Sequence, residues 1–421
     1  MKELKILHVI NDMNPKSGGV CQAVRTMISG LKDLKVENEV VSLDAPDVLY
    51  LKQDSFPVHA IGPGKGPWSY SSELIPWLEQ NFSRFDVVIL HGLWLYNGFA
   101  LHKAIRQYKK KINKSKAPKI LVMPHGMLDP YFQEASGRKL KKIRNWIYWK
   151  LIESRLINKS DGLLFTCEEE RRLAHKPFNP YKPKKELVIG LGVEKPPVFT
   201  KAMQEAFLEK CPELRNQPYL LFLSRIHEKK GVDILIKAYA EIRNGLTKIP
   251  PPIVGASLSQ EESLSQLLEI FLPKLVIAGP GLESSYGASI QEMVKMQEGL
   301  EKSIIFPGML SGDAKWGAFY NCDAFVLPSH QENFGIAVVE ALACSKPVLI
   351  SNQINIWREI TEAGGGLVAD DTLTGVKGML QNWFSLPTEE KSCMADQALA
   401  TYNQYFAINP AAKKLKEALA S

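Results

Sequence analysis

Twelve short apolar runs, six in each half of the chain, constrain its fold more than any other feature of the sequence. Helical or loop segments separate each run from the next. The runs are residues 4–10, 39–43, 86–90, 119–123, 162–165 and 187–189, followed by 219–223, 275–278, 303–306, 324–327, 347–350 and 366–368. Nearly continuous apolar strands that alternate with helices are typical of parallel sheets covered on both faces. We therefore predict an α/β fold with two doubly wound, Rossmann-like domains.

The length of the chain also favours two domains, because 421 residues exceed what one ordinary hydrophobic core accommodates. The Glu-Lys-Pro-Pro segment at 194–197 cannot lie inside a helix or a sheet, since it contains two prolines. We place the boundary there, with one domain over 1–196 and a second over 197–404. A helix is predicted to begin at Pro410. Residues 243–273 are predicted to be a surface insertion, because they are longer than a usual connection.

Composition indicates a globular protein with a modest excess of positive charge. Hydrophobic residues make up 45%, charged residues 23%, and the formal net charge is +7, which suits anionic ligands or an anionic membrane face without requiring either. The six cysteines form no C-x-x-C pair, so we expect no disulfide framework or zinc site and a reducing cytoplasmic location. The first ten residues are predicted to be a strand, not a signal peptide. No run approaches the ~20 apolar residues of a membrane-spanning helix.

Residues 328–343 join a strand to a helix that is apolar nearly all round. Such a helix is expected to be buried, yet it contains Glu340, and a buried carboxylate is costly unless it is hydrogen-bonded. Glu332 lies in the preceding loop, and the backbone N–H groups of Phe334 and Gly335 form an anion site at the helix N-terminus. Two carboxylates that flank a phosphate-sized positive site suit a nucleotide-sugar, which has phosphates in the middle and hydroxyls at both ends.

This segment resembles the signature of the retaining GT-B glycosyltransferases of family 4, in which a Glu, seven residues and a second Glu surround an E-x-F-G core. Here it is Glu332-Asn-Phe-Gly-Ile-Ala-Val-Val-Glu340. The resemblance implies two Rossmann-like domains that face a cleft, with the acceptor on the first and the nucleotide-sugar on the second. It also implies that a C-terminal helix, about 405–421, packs back on the first domain. The donor-binding residues implied in this segment are Glu332, Asn333, Phe334, Gly335 and Glu340.

A basic loop, residues 224–231, follows the first strand of the second half, where ligands bind in open α/β sheets. Its Arg225 and Lys230 match the Arg-x-x-x-x-Lys pair of the resembled family. Fixed cations stabilise the charge that develops on a diphosphate leaving group, and a guanidinium can hold two oxygens at once. The alternative is a loop of solvated charges, as neighbouring Lys229 could be.

Glycines follow two other predicted strands. Gly18 and Gly19 allow close approach of the backbone to a phosphate or sugar, and the resemblance implies contact with the donor phosphate or the acceptor. The resemblance also implies that the backbone at Gly308 and Met309 meets the nucleotide base.

Histidines follow two further strands of the first half. A histidine at such a position can hydrogen-bond a sugar hydroxyl, and the resemblance implies that His125 lies against the donor sugar. His91 and Trp94 are expected on the acceptor side. His8, inside the first strand, is expected to be a core residue with a satisfied ring.

Several cofactor and metal motifs are missing from the sequence. It has no G-x-G-x-x-G fingerprint and no G-x-x-x-x-G-K-[ST] P-loop, which removes the main support for dinucleotide and P-loop sites. It has no D-x-D motif either, and the acidic triplet 168–170 is predicted to be the first turn of a helix capped near Thr166. We expect no metal and no cofactor, with Arg225, Lys230 and the helix N-terminus in place of a metal ion.

The basic and aromatic segment 137–150 has two interpretations. Its apolar positions recur at helical spacing, which favours a face packed on the core; they are Leu140, Ile143, Ile147 and Leu151. Alternatively, its basic residues rest on anionic lipid with Trp146 and Trp149. Nucleic acid is not an expected partner, since no recognised binding module accompanies these residues.

The predicted function is that of a metal-independent hexosyltransferase, which moves a sugar from a UDP-, GDP- or ADP-linked donor to a saccharide or lipid-linked acceptor. The anomeric configuration would be retained, and the product would be a cell-surface polysaccharide or glycolipid. The predicted catalytic residues, acting by positioning and charge stabilisation, are Glu332, His125, Arg225 and Lys230. The alternatives are a GT-B epimerase or phosphorylase and a non-catalytic nucleotide-sugar-binding protein. The nucleotide, the sugar, the acceptor and the oligomeric state stay open.

Overall fold

The chain folds into two compact α/β units, each built on one parallel sheet. The computed structural model describes residues 3–112, 117–134, 139–246, 272–297 and 299–420. Unit 1 comprises Met1–Glu194 and Phe406–Ser421, and unit 2 comprises Lys195–Tyr405. The predicted boundary lies two residues from this one (196 against 194). Most of the predicted insertion, 247–271, lies outside the described residues.

Among the described residues, thirteen strands make up the two sheets. In unit 1 they are β1 (Lys5–Val9), β2 (Glu37–Ser42), β3 (Val58–Ala60), β4 (Val87–His91), β5 (Lys119–Met123), β6 (Gly162–Phe165) and β7 (Glu186–Val188). In unit 2 they are β8 (Tyr219–Leu223), β9 (Lys274–Ala278), β10 (Ile304–Gly308), β11 (Ala324–Leu327), β12 (Val348–Ser351) and β13 (Gly366–Ala369).

Helices connect the strands and cover the sheets. Those of unit 1 are α1 (Gly19–Lys32), α2 (Leu74–Asn81), α3 (Tyr96–Lys111), α4 (Tyr131–Glu134), α5 (Lys139–Tyr148), α6 (Ser154–Lys159) and α7 (Glu168–Ala174). Those of unit 2 are α8 (Lys201–Leu208), α9 (Val232–Leu246), α10 (Ser285–Lys295), α11 (Gly312–Asn321), α12 (Ile336–Ala343), α13 (Trp357–Ala363), α14 (Leu373–Ser385) and α15 (Thr388–Thr401). The last helix, α16 (Ile408–Ala420), belongs to unit 1.

Both sheets are doubly wound and parallel, as predicted. The strand order is β3-β2-β1-β4-β5-β6-β7 in unit 1 and β10-β9-β8-β11-β12-β13 in unit 2. In each sheet the order reverses beside the first strand of the unit, and ligands bind at the carboxyl ends of strands next to such a reversal. The fold therefore directs attention to the loops that follow β1 and β4 in unit 1, and β8 and β11 in unit 2.

Helices cover the two faces of the unit 1 sheet. On one face, Leu78 of α2 and Ala104 of α3 are fully buried against alternate strand residues such as Leu90. On the other face, Leu31 of α1 and Leu415 of α16 pack with Ile89. Full burial of one such Leu or Ile contributes about 1.5–3 kcal/mol. The apolar stripe of α16 thus holds the end of the chain on unit 1.

Four elements differ from the sequence-based expectations. Helix α16 begins at Ile408, two residues before the predicted start at Pro410. Strand β3 was not predicted, because it has three half-buried residues at the edge of the sheet. Helix α12 begins at Ile336, with Gly335 as its N-cap, one residue later than expected. Helix α7 is capped by Cys167 and not by Thr166, because the Cys167 sulfur accepts a hydrogen bond from the Glu170 N–H. No helix in the described part of the chain is long and apolar enough to cross a membrane.

Candidate functional site

In unit 2, the loops after β8 and β11 meet because the two strands are neighbours in the sheet. Gly231 ends the basic loop in a left-handed conformation with φ of 66°, and a Cβ there would stand 2.2 Å from the Pro328 carbonyl oxygen. The His330 N–H donates to the Lys229 carbonyl at 2.9 Å. The backbone thus brings the two predicted motifs together, although about one hundred residues separate them in sequence.

This approach places Lys230 against Glu332. The Lys230 Nζ forms an ion pair with the Glu332 Oε2, and the two side chains retain 11% and 24% exposure. A charge that is removed from water needs a partner, and each group is the partner of the other. The two residues were predicted separately, and the structure shows them in direct contact.

Backbone hydrogen bonds fix the loop that carries Glu332. Its N–H donates to the Gln353 carbonyl at 3.0 Å, and its carbonyl accepts from the Asn355 N–H at 3.0 Å. Phe334 is buried beneath the loop. Gly335 adopts φ of 75° at the start of α12, a conformation that a residue with a Cβ disfavours. The carboxylate therefore stands on a rigid turn.

The second predicted carboxylate has a partner that the sequence did not reveal. The Glu340 Oε1 lies 2.6 Å from the Nζ of Lys315 on α11, and Glu340 is half-buried, with 14% of its side chain exposed. The ammonium group of Lys315 also lies 4.5 Å from the centroid of the Trp316 ring, within reach of a cation–π interaction. No local motif marks Lys315, because 25 residues separate it from Glu340 in the sequence.

The remaining predicted donor residues lie along the same edge of the unit 2 sheet. Arg225 is exposed, and no carboxylate in the described part of the chain pairs with it. Gly308 accepts a backbone hydrogen bond from the Gly279 N–H at 2.8 Å, and Met309 is 68% exposed. Asn333 lies 3.4 Å from the Asn355 amide nitrogen. An unpaired guanidinium beside a Lys–Glu pair makes the edge suitable for a polyanionic ligand.

In unit 1, the Gly18-Gly19 pair opens a pocket at the carboxyl edge. Gly18 is the N-cap of α1, whose first turn contains no acidic residue, so the backbone N–H groups of the helix start attract anions. The residues that line the pocket include Asn11, Asp12, Gly18, Cys21, His91 and Asn97.

His91 and His125 lie side by side in unit 1. The His91 Nδ1 is 2.9 Å from the His125 Nε2, and burial lowers the pKa of His125 to about 4. His125 has a left-handed φ of 52°. The turn is held by buried Glu170, whose Oε1 accepts from the Gly126 N–H at 2.6 Å. Glu170 was predicted only as part of a helix turn, and its second role depends on a contact across 44 residues.

Trp94 lies close to these histidines but packs into an aromatic cluster. Its ring centroid is 5.2 Å from that of Phe178 and 6.5 Å from that of Trp149. The backbone N–H of Trp94 donates to the Oε1 of Glu153 at 2.7 Å. Glu153 is fully buried, and this burial raises its pKa to about 7. The structure thus gives Trp94 a packing role, whereas contact with an acceptor stays a prediction.

The basic and aromatic segment exposes its apolar stripe. Ile143, Trp146, Ile147 and Leu151 are 46–60% exposed, so the prediction of a core face is wrong for the three aliphatic residues. Trp149 is fully buried, which corrects its expected place on lipid. The fourth aliphatic position, Leu140, lies outside the described side chains. The stripe stays exposed because Trp149, in the π-helical turn Trp149–Glu153 after α5, packs into the core in its place.

Metal ligands do not cluster in the described part of the chain, where no three His, Cys, Asp or Glu residues are placed to hold an ion.

The chain matches the models of two known families. The family described as glycosyl transferases group 1 matches residues 203–376, and the glycosyl transferase 4-like domain matches residues 18–192.

Among curated relatives, an uncharacterised glycosyltransferase of Methanocaldococcus jannaschii is 26% identical over 52% of this chain. A D-inositol 3-phosphate glycosyltransferase of an Arthrobacter strain is 25% identical over 41%. The chain spans only 47% and 35% of these two relatives.

Among solved structures, HepE of Anabaena in complex with UDP and glucose is similar with a TM-score of 0.71 and 16% identity, over 99% of this chain and 100% of that one. A glycosyltransferase of Rickettsia africae has the same TM-score and identity, over 100% and 98%. Both likenesses show the fold.

Proposed function

We propose that this chain, which belongs to the GT-B glycosyltransferases of family 4, transfers a sugar from a nucleotide-sugar to a saccharide or lipid-linked acceptor. The observation that carries the proposal is the Lys230–Glu332 ion pair at the carboxyl edge of the unit 2 sheet. It joins the cation of the basic loop to the first carboxylate of the Glu-x7-Glu signature, so that one ligand can contact both. HepE, with the same fold, has been solved in complex with UDP and with UDP-glucose, which supports a nucleotide-sugar donor.

The proposed roles follow the chemistry of each group. Arg225 and Lys230 stabilise the negative charge that grows on the diphosphate as the glycosidic bond breaks. Glu332 accepts hydrogen bonds from the sugar hydroxyls, and Glu340 accepts them from the ribose. The chain would thus act without a metal ion, since fixed cations supply the charge stabilisation. None of these side chains is an obvious covalent nucleophile, so retention would come from attack on the face that the diphosphate leaves, with a phosphate oxygen taking the acceptor proton.

A screen of nucleotides tests the donor. We expect one of UDP, GDP and ADP, or its sugar conjugate, to raise the melting temperature, because a ligand at 100 times its dissociation constant adds roughly 2.7 kcal/mol to the stability of the folded state. Turnover must then require an acceptor. An epimerase would convert the donor without an acceptor, and a non-catalytic binding protein would release no nucleotide diphosphate with any acceptor. A product with inverted configuration at the anomeric carbon would contradict retention.

The exposed apolar stripe supports a second part of the proposal, that unit 1 rests on an anionic membrane at the cytoplasmic face. The stripe, defined by Ile143, Trp146, Ile147 and Leu151, is flanked by exposed basic residues, among them Lys142 and Lys150. Apolar side chains enter the acyl boundary while cations meet the headgroups, and each Lys or Arg near the surface contributes about 1 kcal/mol. An acceptor that is lipid-linked would be reached there, in the synthesis of a cell-surface polysaccharide or glycolipid.

Sedimentation with phosphatidylglycerol vesicles tests this surface. The Lys142→Glu/Lys150→Glu variant should lose binding at low salt, and Trp146→Ser should lose binding at all salt concentrations, while donor hydrolysis in solution stays unchanged. Leu49→Ser is the matched control, because Leu49 is also an exposed apolar residue of unit 1, 74% exposed, but lies outside the stripe. If the unsubstituted chain does not sediment with the vesicles, or if Leu49→Ser is equally impaired, the stripe is not a membrane surface.

A further inference from the structure

A line of four polar side chains crosses four neighbouring strands inside unit 1. It begins with Asn38 on β2, continues through His8 on β1 and His91 at the end of β4, and ends with His125 after β5. The Asn38 Oδ1 is 3.0 Å from the His8 Nε2. The His8 Nδ1 is 2.9 Å from the His91 Nε2, and the His91 Nδ1 is 2.9 Å from the His125 Nε2. Each ring therefore contacts the next through opposite nitrogens.

The register of the sheet explains why these residues meet. His8 is paired with Ile89 on β4, and His91 lies two residues beyond Ile89. His91 is in turn paired with Met123 on β5, and His125 lies two residues beyond Met123. Because side chains alternate between the faces of a strand with a period of two, His8 and His91 lie on one face of the sheet. His125 follows the end of β5, at a φ of 52°, and meets His91 from the turn there.

The hydrogen-bond partners determine which nitrogen of each histidine carries the proton. The Asn38 Nδ2 donates to the Val36 carbonyl at 2.9 Å, so the amide must present its oxygen to His8, and the His8 Nε2 must carry the proton. The His8 Nδ1 is then an acceptor and requires a proton on the His91 Nε2. The same reasoning puts a proton on the His125 Nε2. It leaves the His125 Nδ1 as an acceptor, and no described residue donates to it.

Burial keeps the rings neutral, and a neutral imidazole has one donor and one acceptor. His8 and His91 are 0% and 2% exposed. Burial lowers the pKa of His8 to about 4, against the opposing effect of the Asn38 hydrogen bond, and lowers the pKa of His91 well below its usual value, with the neighbouring histidines adding to the effect. At neutral pH the line is therefore built from uncharged rings with every inner nitrogen bonded, which is how buried polar groups are tolerated.

We propose that Asn38, His8 and His91 are positioning residues, which hold His125 as the Nε2–H tautomer and thereby present its Nδ1 as an acceptor for a hydroxyl group of the substrate. The contact with substrate rests on the proposed function, whereas the tautomer does not. The outer end of the line is fixed independently, because the Glu170 carboxylate holds the turn at Gly126. An acceptor nitrogen at this place selects a ligand with a free hydroxyl and does not select an anion.

The tautomers are measured by long-range ¹H–¹⁵N correlation spectra of the full chain labelled at histidine, with assignments from single substitutions of its eight histidines. We expect His8, His91 and His125 to carry the proton on Nε2 at neutral pH. His8→Leu removes the acceptor for His91, so His125 should shift to a mixture of tautomers. His8→Gln can accept from His91 and donate to Asn38, so it should retain the Nε2–H form. A proton on the His125 Nδ1 in the unsubstituted chain would overturn the proposal, as would an unchanged His125 in the His8→Leu variant.

Transfer kinetics test the consequence. We expect kcat to fall about tenfold in His8→Leu, the effect of one lost hydrogen bond, with KM for the donor little changed, and to recover in His8→Gln. Leu7→Ala is the matched control, since Leu7 is also fully buried on β1 but faces the other side of the sheet. An equal loss of kcat in Leu7→Ala would show that His8 is only structural. If the unsubstituted chain transfers no sugar, the proposed function fails, but the tautomer result still decides the positioning role.

Discussion

Two ion pairs lie at the carboxyl edge of unit 2, whereas neutral histidines joined by hydrogen bonds lie at the carboxyl edge of unit 1. The pairs Lys230–Glu332 and Lys315–Glu340 keep 11–24% of each side chain exposed. In unit 1, His91 and Glu153 are almost completely buried. Remaining contact with water reduces the cost of a charge, and complete burial favours the neutral form. Charged pairs of this kind suit an anionic group such as a phosphate, and neutral rings suit an uncharged hydroxyl.

Breaking the Lys230–Glu332 pair should have the largest effect. Lys230→Ala and Glu332→Gln are each expected to lower the transfer rate by about 100- to 1,000-fold, the usual cost of removing one charge-stabilising group. Glu332→Gln should still bind the free nucleotide diphosphate, because its proposed partner is the sugar. Transfer rates and calorimetric binding of the diphosphate provide the measurements. Lys229→Ala, next to the pair, is the matched control and should transfer normally. A Glu332→Gln variant that loses diphosphate affinity as strongly as Glu340→Gln would contradict this division of roles.

In unit 1, the buried carboxyl group of Glu153 should make the free energy of unfolding depend on pH. Burial raises the pKa of Glu153 from 4.5 to about 7, so the folded chain binds its proton more tightly than the unfolded chain does. The contribution of this group is complete below pH 4.5 and is lost as pH rises towards 7, a decrease of roughly 3 kcal/mol.

Glu153→Gln removes this loss of stability, because an amide cannot ionise. The oxygen of the amide can still accept a hydrogen bond from the backbone N–H of Trp94. The variant should match the unsubstituted chain at pH 4 and exceed it by roughly 3 kcal/mol at pH 8. Urea unfolding at the two pH values measures the difference, with exposed Glu362→Gln as the control that should change neither. Equal stability of Glu153→Gln and the unsubstituted chain at pH 8 would mean that folding does not raise the pKa of Glu153.

A smaller effect is expected at the second pair of unit 2. Glu340→Gln and Lys315→Ala should each weaken binding of the nucleotide diphosphate by about tenfold, because the ribose loses an oriented acceptor. The double variant should lose less than the product of the two, with a coupling free energy of about 1 kcal/mol. Calorimetric titration of the four proteins measures it. Strictly additive losses would show that Lys315 does not position Glu340.

The last prediction is that the removal of metal ions leaves the transfer rate unchanged. Because Arg225 and Lys230 provide fixed positive charge, the rate of transfer should be the same in excess EDTA as in its absence. A loss of activity that Mg²⁺ or Mn²⁺ restores would overturn the assignment of the diphosphate to these two residues, and would remove the contrast between a cationic edge and a neutral one.

Much of the fold and part of the site could be predicted from local sequence. All twelve apolar runs are strands, because strands covered on both faces must be apolar along their whole length. Arg225, Lys230, Glu332 and Glu340 could be named because they lie in compact motifs at strand ends. Strand β3 was missed, since three half-buried residues produce no pattern.

The position of the strands and the identity of the motif residues could be predicted from local sequence, since both depend on neighbours within a few positions. The tertiary structure alone decided which distant groups became partners: Lys315 with Glu340, Glu170 with the turn at Gly126, and three histidines in one line. It also decided that the stripe of Ile143, Trp146, Ile147 and Leu151 stays exposed. Periodicity shows that a helix has an apolar face, but only the packing of the other elements determines whether that face is covered.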